Sequence, residues 1–237
     1  MEEALYLENV TKKYHDYTLD HVSFSLPSGC IMGLIGENGA GKSTTIKAIT
    51  GAVRPDEGTI RVLGCDIKSP GFQQKKQEIG VVMDEACFPD ELTPGQVDRV
   101  MAGIYESWEK DTFYGWLDRF QLPQKKRFQE FSRGMKMKLS LAAALSHNAK
   151  LLLLDEATAS LDPENEVLIQ RAIARLVEGK TVIMIAHRLR TVVDADQIFV
   201  LENGKLVERG THDELIAHKG LYEKLYHIQQ ESLDWVV

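Results

Sequence analysis

The chain has 237 residues, of which 43% are hydrophobic, enough for one substantial α/β core that carries inserted subdomains. Its formal net charge of −7 gives no overall basic field, which removes nucleic acid as the default partner. Three cysteines (Cys30, Cys65, Cys87) without CxxC spacing favour neither a disulfide framework nor a zinc site, and fit a reducing cytosol.

The first residues lack the basic segment and apolar run of a secretory signal, so the chain reads as mature from its start. Alternating apolar residues, Leu5 and Leu7 and then Val22, Phe24 and Leu26, predict half-buried strands, and 59–63 reads likewise. These predict a small antiparallel sheet. The runs 30–35, 79–83, 151–154 and 182–186 are nearly continuously apolar, as expected of parallel strands covered on both faces, and predict the central sheet. None approaches the roughly 18 residues that would span a bilayer. Between 84 and 148 the pattern turns helical, with predicted helices over 93–105, 111–120 and 133–147 and a basic connection at 123–127. Beyond 149 strand and helix alternate again, with an amphipathic helix predicted over 163–177. Thr211, His212, Asp213 and Glu214 form a capping-box pattern that opens another helix. The expected architecture is one α/β unit. Its core and N-terminal β subdomain occupy 1–83 and 149–230, a helical subdomain occupies 84–148, and 231–237 forms a tail.

Gly36, Glu37, Asn38, Gly39, Ala40, Gly41, Lys42 and Ser43 match GxxxxGK[ST], directly after an apolar strand and directly before a helical stretch. That is the context of a P-loop. The glycines let the backbone curl so that successive N–H groups face a β-phosphate, and the helix N-terminus adds partial positive charge. Lys42 is expected to bridge the β- and γ-phosphates, Ser43 to ligate Mg²⁺, and Thr44 to reach the α-phosphate. Residues 151–154 deliver Asp155 and Glu156 to a strand's C-terminal edge, where a ligand sits in open α/β sheets. Asp155 is placed to hold Mg²⁺ through water and Glu156 to polarise the attacking water. Alone, the two acids read equally well as solvated strand-terminal residues.

Phe131, Ser132, Arg133, Gly134, Met135 and Lys136 lie at the spacing from Asp155 at which the ATP-binding-cassette (ABC) family carries its LSGGQ signature, and the chain resembles that family. Ser132 and Gly134 are kept, and Ser132 also reads as an N-cap. The resemblance extends from Leu5 to about Gln229 and implies a P-loop nucleotide-hydrolase fold with a mostly parallel sheet. It further implies that ATP and Mg²⁺ are bound, and that a second nucleotide-binding domain, in a homo- or heterodimer, sandwiches ATP with Ser132 and Gly134 of the opposite copy. A transmembrane permease subunit is the implied partner, with the chain cytoplasmic at the inner face of the membrane. Tyr14 resembles the adenine platform, with Val22 alongside and Tyr17 as a rival. Ala159 to Asp162 resemble the D-loop, and His187 resembles the switch histidine that contacts the γ-phosphate.

Two departures stand out. Asp84 occupies the place of the Q-loop glutamine, putting its Mg²⁺ contact in doubt, and Arg133 replaces the first signature glycine. If these impair turnover, a nucleotide-gated dimerisation module is the alternative. The part through Asn148 is similar to ATPases paired with separate bacitracin-type or ABC-2 permeases. The part after Asp155 is similar to domains fused to exporter membrane segments, as in a chimeric chain.

Overall fold

The computed structural model describes residues 2–83, 88–155, 179–186 and 188–234, with side chains to residue 231. Asp84, Glu156, the D-loop residues, the predicted helix at 163–177 and His187 lie outside the described residues.

Two sheets form the frame. The smaller joins β1 (Glu3–Lys13), β2 (Thr18–Pro27), β4 (Glu57–Val62) and β5 (Cys65–Asp66) in the order β2-β1-β4-β5, all antiparallel. Alternation puts Val22, Phe24 and Leu26 on its buried face. His21 adopts a positive φ where the β1–β2 register slips, so Leu19 is buried although it stands three residues from Val22.

The larger sheet adds β3 (Ile31–Ile35), β6 (Ile79–Val82), β7 (Leu151–Asp155), β8 (Thr181–Ile185), β9 (Gln197–Glu202) and β10 (Lys205–Gly210), ordered β10-β9-β3-β8-β7-β6. Every neighbouring pair is parallel except the β9–β10 hairpin. The four apolar runs read as parallel strands are β3, β6, β7 and β8. The hairpin at β9 and β10 carries no individual forecast, because β10 is half-exposed and alternates polar residues along an edge. Leu34, Leu153, Ile183 and Phe199 from four parallel strands share one core with Leu5, Val22 and Ile60 of the small sheet, and this cluster fuses the two sheets.

Helix α1 (Lys42–Ile49) follows β3, and the one-turn α2 (Phe72–Lys75) precedes β6. Between β6 and β7 come α3 (Pro94–Ile104), α4 (Lys110–Arg119) and α5 (Arg133–Leu145), each within two residues of its expected bounds. Phe113, Leu117, Phe128 and Leu139 pack these helices together, and Leu152 and Leu154 of β7 join the same cluster. The chain closes with α6 (His212–His218) and α7 (Leu221–Asp234). The α6 capping box forms: Thr211 N–H donates to Glu214 Oε2 at 2.9 Å, and Glu214 N–H to Thr211 Oγ1 at 3.4 Å. Among the described residues, no helix is long and apolar enough to cross a membrane.

Candidate nucleotide site

Register decides where the functional residues meet. Ile185 of β8 is paired with Leu34 of β3 on one side and with Asp155 of β7 on the other. The exit of β3 into the glycine-rich loop, the Asp155 carboxylate and the end of β8 therefore share one sheet edge. This edge is at the carboxyl ends of the strands, the side where open parallel sheets bind ligands. Ala186 N–H donates to Leu34 O at 3.3 Å and closes β8 against the strand that launches the loop.

The loop itself is set by sterics. Gly36 has φ +149, and a Cβ there would collide with the Leu201 carbonyl of β9. Gly41 has φ +111, and a Cβ there would collide with the Tyr17 hydroxyl. A side chain at either position would lift the loop off its neighbours, so the glycines serve close packing as well as left-handed backbone. Gly41 is the N-cap of α1, whose first turn contains no acid to oppose an incoming anion. Thr45 Oγ1 donates to Gly41 O at 2.9 Å and locks the loop to the helix.

Asn38, Gly39, Gly41, Lys42, Ser43 and Thr44 line a single cleft of about 470 Å³. Lys42 is only 5% exposed, and its Nζ donates to Gly36 O at 2.8 Å and Glu37 O at 3.0 Å. The ammonium is thus held over the loop. Ala40 turns its methyl group into the core, and its carbonyl accepts from the Gly204 N–H and the Tyr17 hydroxyl. Asp155 is 6% exposed at the end of β7. Burial at such a site is costly for a carboxylate unless positive charge is supplied nearby. Ser43 and Asp155 offer hydroxyl and carboxylate oxygens, the hard ligands that suit Mg²⁺.

Two residues of the β1–β2 turn complete the cleft wall, Asp16 and Tyr17. Asp16 carries no motif, and nothing in its sequence context points to it. Tyr17 is half-buried and its ring centroid is 6.2 Å from that of Tyr14. Tyr14 is 44% exposed, with Lys12 Nζ 5.9 Å above its ring. Burial raises the Tyr17 phenol to about 12, and Tyr14 pushes in the same direction. Val22 lies in the core beneath the turn.

Ser132 is the N-cap of α5, and its Oγ accepts from Met135 N–H at 3.3 Å. It stands exposed beside the partly buried Gly134. These two residues do not line the cleft formed by the glycine-rich loop of their own chain.

A parallel sheet, a P-loop cradling a lysine at its central strand, and an acid at the end of the next strand but one define a P-loop nucleotide-binding protein. Residues 19–159, more than half of the chain, match the family model "ABC transporter". The chain is 34% identical over 224 residues to the ABC transporter ATP-binding protein YfiC of Bacillus subtilis (strain 168), covering 91% of this chain and 37% of that protein. It is 36% identical over 224 residues to an ATP-dependent lipid A-core flippase of Burkholderia orbicola (strain AU 1054), covering 91% and 38%. Among solved structures, a bacterial Atm1-family ABC exporter with ATP bound superposes with a TM-score of 0.85 at 28% identity, covering 96% of this chain and 42% of that one. The chain belongs to the ABC transporter family, as an ATP-binding domain of its ATPase class. It spans well under half the length of the relatives it matches.

Proposed function

We propose that this chain hydrolyses ATP to power a transmembrane permease, acting as one of two nucleotide-binding domains that close around ATP. The observation that carries the reading is register: Ile185 pairs with both Leu34, at the exit of β3 into the Lys42 loop, and Asp155, so both reach the same edge of the sheet. Lys42 grips the terminal phosphates by exchanging the Gly36 and Glu37 carbonyls for phosphate oxygens, and the loop amides from Gly39 to Thr44 hold the rest of the polyphosphate. Ser43 and Asp155 hold Mg²⁺, which when bound draws charge from the phosphate oxygens. Asp84, at the sequence position of the family's Q-loop glutamine, is a candidate for a further contact. Glu156 takes a proton from the attacking water, and His187 orients that water against the γ-phosphate. The exposed ring of Tyr14 receives the base, since stacking on such a ring is worth about 1–3 kcal/mol. Ser132 and Gly134, outside their own chain's cleft, serve the opposite copy's ATP.

The permease is a separate or fused membrane segment on the cytoplasmic side of which the chain sits. The coverage of under half of each relative agrees with a domain that works beside membrane-spanning partners. Residues 84–148 act as the lobe that reads this partner, and the chimeric reading assigns partner choice to that part and hydrolysis to both parts.

Thermal shift with Mg·ATP, together with steady-state phosphate release, tests the proposal. The wild-type protein is expected to gain stability, by about 2.7 kcal/mol at a hundredfold excess over Kd. Lys42→Ala is expected to lose the shift and to release phosphate at background rate. Equal turnover by the two proteins would refute the assignment, and binding without turnover would favour the nucleotide-gated module that Asp84 and Arg133 suggest.

A further inference from the structure

Three turns meet at the apex of the phosphate loop. The Ala40 carbonyl accepts from the Gly204 N–H of the β9–β10 turn at 3.1 Å and from the Tyr17 hydroxyl of the β1–β2 turn at 3.3 Å. The two turns are also joined to each other, because Asp20 N–H donates to Gly204 O at 2.8 Å. Gly204 is buried against Thr18, leaving no space for a side chain.

A trans peptide points its C=O and its N–H in opposite directions. Two donors that fix the Ala40 carbonyl, the Gly204 N–H and the Tyr17 hydroxyl, therefore also fix the next N–H, that of Gly41, on the opposite side of the peptide plane. Gly41 lines the cleft. We infer that Tyr17 is a positioning residue for phosphate binding: its hydroxyl, with the Gly204 amide, fixes the Ala40–Gly41 peptide plane so that the Gly41 N–H faces a phosphate oxygen before nucleotide arrives. This rests on reading the cleft as the ATP site. A peptide plane already oriented has no flip to make on binding, which is the general advantage of preorganisation. Burial keeps the phenol protonated, and hence a donor, throughout the neutral range. Tyr14, exposed and one ring away, is left to the base.

Tyr17→Phe keeps the ring and removes only the donor. Titrations of wild type and variant with Mg·ATP, inorganic tripolyphosphate and adenosine test the inference. The variant is expected to bind ATP and tripolyphosphate about threefold to tenfold more weakly, the scale of one hydrogen bond, with adenosine affinity unchanged. The KM for ATP should rise by the same factor while kcat stays within about twofold of wild type. Equal weakening toward adenosine would place the hydroxyl's effect outside the phosphates and overturn the inference, as would unchanged affinity for all three ligands. Failure of the wild-type protein to bind ATP would instead overturn the ATP-site reading, and this inference with it.

Discussion

At the scale of single residues, the site is built from exclusions as much as from contacts. Gly41 has room for no side chain, because its backbone is left-handed and its open side faces the Tyr17 hydroxyl. Gly41→Ala is expected to lower stability by about 1–3 kcal/mol from backbone strain alone, measured by urea denaturation, and to abolish the thermal shift with Mg·ATP. Combining it with Tyr17→Ala removes the collision but not the strain, so the double variant should remain less stable than Tyr17→Ala. The residues that line the cleft from the glycine-rich side were legible in the sequence, because backbone amides, one ammonium and one hydroxyl must stand at fixed offsets to cradle a phosphate. Asp16 and the hydrogen bond of Tyr17 were not. They arrive from a turn more than twenty residues away, and only the pairing of two sheets brings that turn to the loop.

Among the elements, the junction of α5 with β6 holds the least expected group. His147 is 1% exposed, with Nδ1 3.3 Å from Ala143 O and Nε2 3.2 Å from Ile79 O, and its ring stacks on Tyr105 at 3.9 Å between centroids. Burial holds its pKa below the ordinary histidine value, and Lys180 pushes the same way, while the two carbonyls push upward. The folded state therefore binds the proton less readily than the unfolded chain. Its contribution to stability is present above the ordinary value of 6.5 and is lost as pH falls below it. His147→Gln is expected to flatten the loss of melting temperature between pH 8 and pH 5.5; an unchanged pH profile would remove His147 from the account. The helices flanking this junction were legible from their periodicity and caps. The edge hairpin of β9 and β10 was less so, because half-exposed β10 alternates too many charges to stand out from a loop.

For the molecule as a whole, the two-sheet frame with helices between β6 and β7 separates Ser132 and Gly134 from the cleft of the same chain. On the proposed reading, a complete ATP site takes two copies. Glu156→Gln is expected to cut phosphate release by about 10²-fold or more, the scale of general-base catalysis, while leaving ATP affinity intact. With hydrolysis blocked, Mg·ATP should move the variant from monomer to dimer in size-exclusion chromatography with light scattering. A Glu156→Gln protein with wild-type turnover would remove that acid from the mechanism. That β3, β6, β7 and β8 belong to one parallel sheet followed from their apolar runs, whereas their order and the small sheet's attachment to the large one depend on a core drawn from strands of both sheets, which no local pattern encodes.

The Asn203–Gly204 turn presents itself as an outlying surface bend, with Asn203 and Lys205 exposed on either side of Gly204. Because its buried glycine braces the tip of the phosphate loop, it is a poor choice for grafting an epitope, a fluorophore or a circular-permutation break. Chain inserted there would be felt first as looser grip on nucleotide, in a place remote along the sequence from every recognised motif.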